Sequence, residues 1–274
     1  MSLDNFIPQV WSARLLETLK KAHVFANVVN TDYEGEISNY GDTVKINAIG
    51  SVTVKDYTKN TDIDDPEDLD AAQTILTIDQ QKYFNFQVDD IDRAQQRPKI
   101  MDAAMNEAGF ALADEADSHI AGLHTEAGEE VEKDLSSHDD VYDAIAEVAE
   151  ELDKNNVPRE GRWLVVPPFV NTSMTIAGIM ETAGSIDANE INRNGYVGRL
   201  LGFDIFMSNN LKDDNTWTFA LGGTRKAISY AEQILDMEAY RPEKRFADAV
   251  KGLHVYGAKV IYPDALVRLK VQPV

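Results

Sequence analysis

A mixed α+β fold with a long excursion near its start is what this sequence predicts, and three observations carry that expectation. Residues 43–54 (TVKINAIGSVTV) and 74–88 (TILTIDQQKYFNFQV) read as strands, and the stretch between them (KDYTKNTDIDDPEDLDAAQ) is polar, acidic and interrupted by a proline. Residues 99–126 repeat Ile100, Ala104, Ala108, Leu112, Ala116 and Ile120 at intervals of four, in alanine-rich surroundings that favour helix. Beyond them, short helices and strands follow without the regular alternation of a doubly wound enzyme.

Taken in order, residues 11–23 place Trp11, Leu15, Leu16, Leu19 and Ala22 on one helical face, with Pro8 at its entry. A strand-like piece (VFANVVN) and turn signals at Glu34-Gly35 and Tyr40-Gly41-Asp42 come next. Val44, Ile46 and Ala48 alternate with Lys45 and Asn47, as a half-buried strand requires; on the return side Phe84, Phe86 and Val88 share a face. A hairpin with a charged tip has no core of its own, so it points to a receiving molecule rather than to catalysis. The helix over 99–126 would be roughly 40 Å long at about 1.5 Å per residue, a spine rather than a local cover. Pro98 suits its start.

Residues 138–154 form a second helix with the stripe Val141, Ile145, Val148 and Leu152, and with Ser137 and Asp140 as capping residues. Residues 162–166 (RWLVV) read as a buried strand ended by Pro167-Pro168, followed by a short helix. Residues 182–202 read as a long loop, 203–207 as a strand, 209–215 as a polar turn, and Gly222-Gly223 as a turn between strands. Strands close the chain over 253–261 and 265–271.

The composition excludes several functions. The chain has no cysteine, so thiolate chemistry, disulfides and cysteine metal sites are out. No transmembrane helix is expected, because no apolar run reaches 18 residues. The first residues lack the basic-then-apolar layout of a signal peptide, which suggests a protein kept in a reducing cytoplasm. Of the net charge of −21, residues 56–153 carry 28 acids against 6 bases, and the rest of the chain is nearly balanced. Such a chain has no broad basic face for nucleic acid. The acidic stretch is either a solvated surface or a face that meets basic patches on neighbouring copies.

Candidate chemistry fails on spacing. With Asp62 as the first position of a calcium loop, Glu67 stands where a glycine is required and Gln73 where a glutamate is required. Asp114, Asp117, His119 and His124 read as surface residues of the long helix, since its histidines are five apart rather than four. Gly222-Gly223-Thr224-Arg225-Lys226 lacks the phosphate-loop spacing. No catalytic or cofactor-binding residue is assigned, and no cofactor is expected.

The order of elements, with IPQVWSARLLETLKKAHVFANVVN, then YGDTVKI, then KYFNFQVDDIDRAQ, resembles the major capsid proteins of tailed bacteriophages, the Hong Kong 97-type fold, over nearly the whole chain. The resemblance implies an N-terminal arm (1–40), an extended β-hairpin loop (41–90), a peripheral domain with the spine helix (91–135), an axial domain (136–230) and closing strands that return to the peripheral domain (231–274). It implies a non-enzymatic subunit that self-assembles into an icosahedral shell of hexamers and pentamers around double-stranded DNA, without sequence-specific binding or a membrane. The shell would be built in the host bacterial cytoplasm and found in the virion. No long helical scaffolding region precedes the arm, so a separate scaffolding protein is expected, with a portal protein as a further partner. The start at Met1 argues against proteolytic maturation. Assembly contacts are expected from Trp11, Lys55, Lys59, Asp62, Asp64, Asp65, Glu67, Asp68, Asp70, Arg193 and Arg199. Lys55 and Lys59 are the candidates for a lysine–asparagine cross-link, against a reading as ordinary solvated lysines. The competing readings are an encapsulin-like compartment shell, which shares the fold, and a metal-dependent enzyme using the acidic segment.

Overall fold

The computed structural model describes residues 15, 17–19, 22–33, 40–49, 56, 59, 71–89, 99–179, 195–244 and 246–272. Among them the strands are β1 (Thr43–Ile49), β2 (Ala71–Thr77), β3 (Gln80–Asp89), β4 (Glu129–Asp134), β5 (Arg162–Val166), β6 (Tyr196–Leu200), β7 (Phe203–Met207), β8 (Lys212–Asp213), β9 (Thr218–Thr224), β10 (Ile228–Tyr240), β11 (Ala247–Val260) and β12 (Leu266–Gln272). The helices are α1 (Lys99–Gly122), α2 (Asp140–Lys154) and α3 (Pro168–Ala177). A 3₁₀ turn over Leu123–Glu126 prolongs α1, so the spine spans the predicted 99–126.

The strands form three sheets. The largest runs β4-β12-β9-β5-β7-β6, with β8 added against β9; β12 with β4 and β5 with β7 are its parallel pairs. Its middle strand β5 is buried along its whole length. Trp163 and Val165 face a core that includes Phe25, Ala116, Ile120 and Phe206, whereas Leu164 and Val166 face the stripe of α2, Val141, Ala144, Ile145, Val148 and Leu152. Helices cover both faces, which is why this strand reads as an unbroken apolar run. The α2 start is held as expected by its polar residues: the Ser137 amide donates to Asp140 (2.7 Å) and the Asp139 amide to Ser137 Oγ (3.2 Å). At its other end, buried Arg162 donates to the carbonyls of Pro158 (3.0 Å) and Val157 (2.5 Å) and pairs with Asp153 (2.7 Å). The Arg159 and Arg162 guanidinium groups hold the Asp153 carboxyl below the usual carboxylate range.

The second sheet, β10-β11-β3, is made of long antiparallel strands; β10 pairs with β11 from Ile228–Val260 to Tyr240–Ala249, with a bulge after Ile234. The third is the hairpin β1–β2, in register from Thr43–Thr77 to Ile49–Ala71.

Three expectations need correction. The return run 74–88 is two strands: β2 pairs with β1, but β3 leaves the hairpin and pairs with β11 from Gln80–Tyr256 to Asp89–Ala247. Side-chain alternation continues through the break, because only the pairing partner changes. Gly222 and Gly223 are not a turn. They lie inside β9, where a side chain at Gly222 would meet Leu164 at 2.9 Å and one at Gly223 the Ala265 carbonyl at 2.5 Å. Part of the predicted loop 182–202 is strand β6. The closing strands form as expected, with β11 in the long sheet and β12 in the large sheet between β4 and β9.

Candidate assembly surface

The hairpin is fastened to the body at its base. Val44, Ile46, Leu76 and Ile78 turn inward onto Ala231, Val255 and Ile261, while Thr43, Lys45, Ile75 and Thr77 are exposed. The Gly41 amide donates to the Ile78 carbonyl and the Ile78 amide to the Asp42 carbonyl, both at 3.0 Å, closing the entrance. Gly257 on β11 allows the contact: a Cβ there would lie 2.3 Å from the Thr77 carbonyl oxygen.

A second anchor lies beneath. After its helical residues, the N-terminal segment enters a buried polar cluster with α1, β10 and β11. His23 Nδ1 is 3.1 Å from Asp117 Oδ1, and its Nε2 is 3.2 Å from Glu232 Oε2. The same Glu232 oxygen accepts from Tyr230 (2.7 Å) and lies 3.1 Å from His254 Nε2. Asp117 also accepts from the amides of Val24 (2.6 Å) and Ala26 (3.4 Å). Burial alone would lower the His23 pKa, but the hydrogen bonds to Asp117 and Glu232 raise it to about 9. Burial likewise opposes the charge on Glu232, and the bonds from His23 and His254 overcome it and hold the carboxyl far below its ordinary value. Tyr230 is pushed well above 10, by burial first and by Glu232 next. Two carboxylates and an imidazolium thus tie three distant stretches of chain together.

The expected reading of the α1 polar residues as surface groups fails for two of them. Asp117 is buried in this cluster, and His124 is buried against Phe219, ring on ring at 4.4 Å. Among the described residues no group of histidines and carboxylates could hold a metal ion. Nor is any described helix long and apolar enough to cross a membrane.

The expected contact residues are only partly in view. Lys59 is exposed in a turn. Arg199 is exposed on β6, with its Nε 3.7 Å from Asp204 Oδ1. Trp11, Lys55, Asp62, Asp64, Asp65, Glu67, Asp68, Asp70 and Arg193 lie outside the described residues. What sequence reasoning missed is a pair of exposed aromatics on the long sheet, Tyr83 on β3 and Phe246 at the β10–β11 turn. The available signal was Phe246 itself, standing directly after Arg241-Pro242-Glu243-Lys244-Arg245.

A family described as phage capsid protein matches residues 72–269. A structure from Mycobacterium phage Che8 is similar with a TM-score of 0.71 and 35% identity, over 90% of each chain. The capsid structure of the cyanophage P-SCSP1u matches 93% of this chain and 90% of its own, with a TM-score of 0.69 and 17% identity. A virus-like particle from Pyrococcus furiosus matches 95% of this chain and 98% of its own, with a TM-score of 0.59; at 14% identity this is a likeness of fold alone. No curated protein sequence matches the chain.

Proposed function

The chain belongs to the phage capsid protein family and is a major capsid shell protein with the Hong Kong 97-type fold; from that premise we propose that its copies associate as hexamers and pentamers into a closed icosahedral shell around double-stranded DNA. The observation that carries this reading is the hairpin. It is anchored at its base by apolar side chains, and the polar extension beyond Ile49 has little apolar surface to bury on its own chain. A neighbour's surface supplies what the monomer lacks. Each contact contributes little, and the ring multiplies it.

In this reading the axial domain is built on the large sheet, and the peripheral domain on α1 with β3, β10 and β11. The arm comprises residues 1–40. Assembly proceeds in the host cytoplasm with a separate scaffolding protein and a portal, and the acidic character of the chain leaves packaged DNA mobile rather than gripped. The subunit is structural rather than enzymatic. The likeness to the Pyrococcus furiosus particle concerns fold alone, so a compartment for protein cargo gains no support beyond it.

Electron microscopy and light scattering of the purified protein, alone and with a co-expressed scaffolding protein, test the reading. Shells or capsomers are expected. A monomer that persists at high concentration with the scaffold present would overturn it. Deleting residues 57–72 is expected to leave a folded subunit that cannot assemble; normal assembly would refute the role of the hairpin.

A further inference from the structure

His23 stands where the N-terminal segment changes its hold on the body. Before it, the helical residues rest on α1 through Leu15 and Leu19, which pack with Met105, Leu112 and Ala113, and Thr18 Oγ1 donates to Asn106 (3.1 Å). After it, Phe25, Val28 and Val29 are buried in a core shared with Ala116, Trp163 and Phe206. The core between the large sheet and α2 takes none of the described residues of this segment. The stretch before His23 is therefore held more lightly than the stretch after it.

Both ring nitrogens of His23 face carboxylate oxygens, Asp117 Oδ1 at 3.1 Å and Glu232 Oε2 at 3.2 Å. An ionised carboxylate only accepts hydrogen bonds, and a neutral imidazole would turn its lone pair toward one of these acceptors. The geometry therefore requires the imidazolium. The titratable groups around it are Asp117 from α1, Tyr230 and Glu232 from β10 and, through the same Glu232 oxygen, His254 from β11, with the Tyr256 ring 5.1 Å from that of His254. In acid the contact persists, because Glu232, against its burial, is held far below its ordinary value by His23 and His254. In alkali His23 is the group that yields. Burial opposes its charge and the two carboxylates raise its pKa to about 9, whereas burial and Glu232 push Tyr230 well above 10. We propose that His23 is a proton-operated lock: with both ring nitrogens protonated it seats residues 15–22 on α1, and losing one of those protons frees the stretch while the sheets and α1 stay folded.

Trypsin reads the lock, since Lys20 and Lys21 lie just before His23. Full-length unassembled subunits are digested from pH 7 to pH 10 beside a free peptide of residues 15–27, which gives the cleavage rate relative to an open chain. That ratio is expected to rise by on the order of fiftyfold, because the seated state holds the proton up to about 9 and the freed state only to 6.5. His23→Gln should be cut at pH 7 nearly as fast as the wild type at pH 10, and its ratio should change by less than about threefold over the range. A second measurement needs no variant: followed by NMR in the wild type, both His23 ring nitrogens should stay protonated up to about pH 9. The fluorescence of buried Trp163 should remain native throughout, since the release is local. A cleavage ratio flat with pH, an equal rise in the glutamine variant, or a ring that loses its proton below pH 7 would each overturn the proposal. So would loss of the native Trp163 signal in step with cleavage.

Discussion

Replacing His23 with phenylalanine tests how the N-terminal segment is fastened to the body. The imidazole lies between Asp117 and Glu232 in a buried site. Phenylalanine nearly keeps the volume but removes both hydrogen bonds and the positive charge, leaving two buried carboxylates with fewer partners. Removing one member of a buried charged pair costs about 3–5 kcal/mol. Linkage gives a similar size. The group rises from 6.5 to about 9 on folding, and at about 1.4 kcal/mol per pH unit the network favours the charged form by about 3.4 kcal/mol. The folded pKa lies above the unfolded one, so this stabilisation is complete below pH 6.5, is still about 2.6 kcal/mol at pH 7, and is lost as pH rises through 9. Urea denaturation of unassembled subunits reads it through Trp163, which is buried and meets Phe25 edge to face at 6.4 Å, two residues beyond His23. At pH 7 the variant should be less stable by about 3 kcal/mol, and the gap should narrow by about 2.5 kcal/mol by pH 10. Subtracting the variant removes the background of lysines and tyrosines that titrate in the same range. A difference under about 1 kcal/mol at pH 7, or one that stays constant from pH 7 to 10, would refute the charged clamp.

Glu232→Gln probes the acid side of the same cluster. Its folded pKa lies below the ordinary 4.5, so its contribution is present above pH 4.5 and lost as pH falls through the folded value; the variant should flatten the acid limb of stability in a pH series of melts. Gly257→Ala should cost about 1–3 kcal/mol, because its methyl group would meet the Thr77 carbonyl. Limited proteolysis should then cut the hairpin of the unassembled subunit faster, and an unchanged cleavage rate would count against the close contact. Arg162→Ala should destabilise by about 3 kcal/mol in urea, since it strips the carbonyls of Pro158 and Val157 of their donor; a loss under about 1 kcal/mol would show that water replaces the guanidinium.

What the sequence made legible follows the range of the forces involved. The α2 stripe and strand β5 were readable because each records its own burial pattern in consecutive residues. The acidic β4 was not: in Glu129–Asp134 only Val131 is buried, and the strand exists because β12 offers it a parallel edge. The break between β2 and β3 was hidden for the same reason, since a partner more than a hundred residues further on decides which sheet β3 joins. His23 finds Asp117 and Glu232 across 94 and 209 residues, and no local pattern announces that meeting. The exposed Tyr83 and Phe246 needed the sheet to show which positions stay open.

That division of one sheet face carries the assembly argument furthest. A monomer that covered all of it with its own hairpin would bury more apolar surface and would have no reason to associate. This chain covers the body end and leaves Tyr83 exposed beside the covered region and Phe246 exposed in the β10–β11 turn. In the proposed shell, a neighbouring copy would supply the contacts that the subunit alone does not make. The buried cluster at His23 contributes the other requirement. A hairpin proposed to dock on another copy must be held firmly at its root, or the ordering entropy of docking would consume the small gain of each contact. Two buried anchors, one by close apolar packing at Gly257 and one by hydrogen bonding at Glu232, fix the roots of the hairpin and of the N-terminal segment.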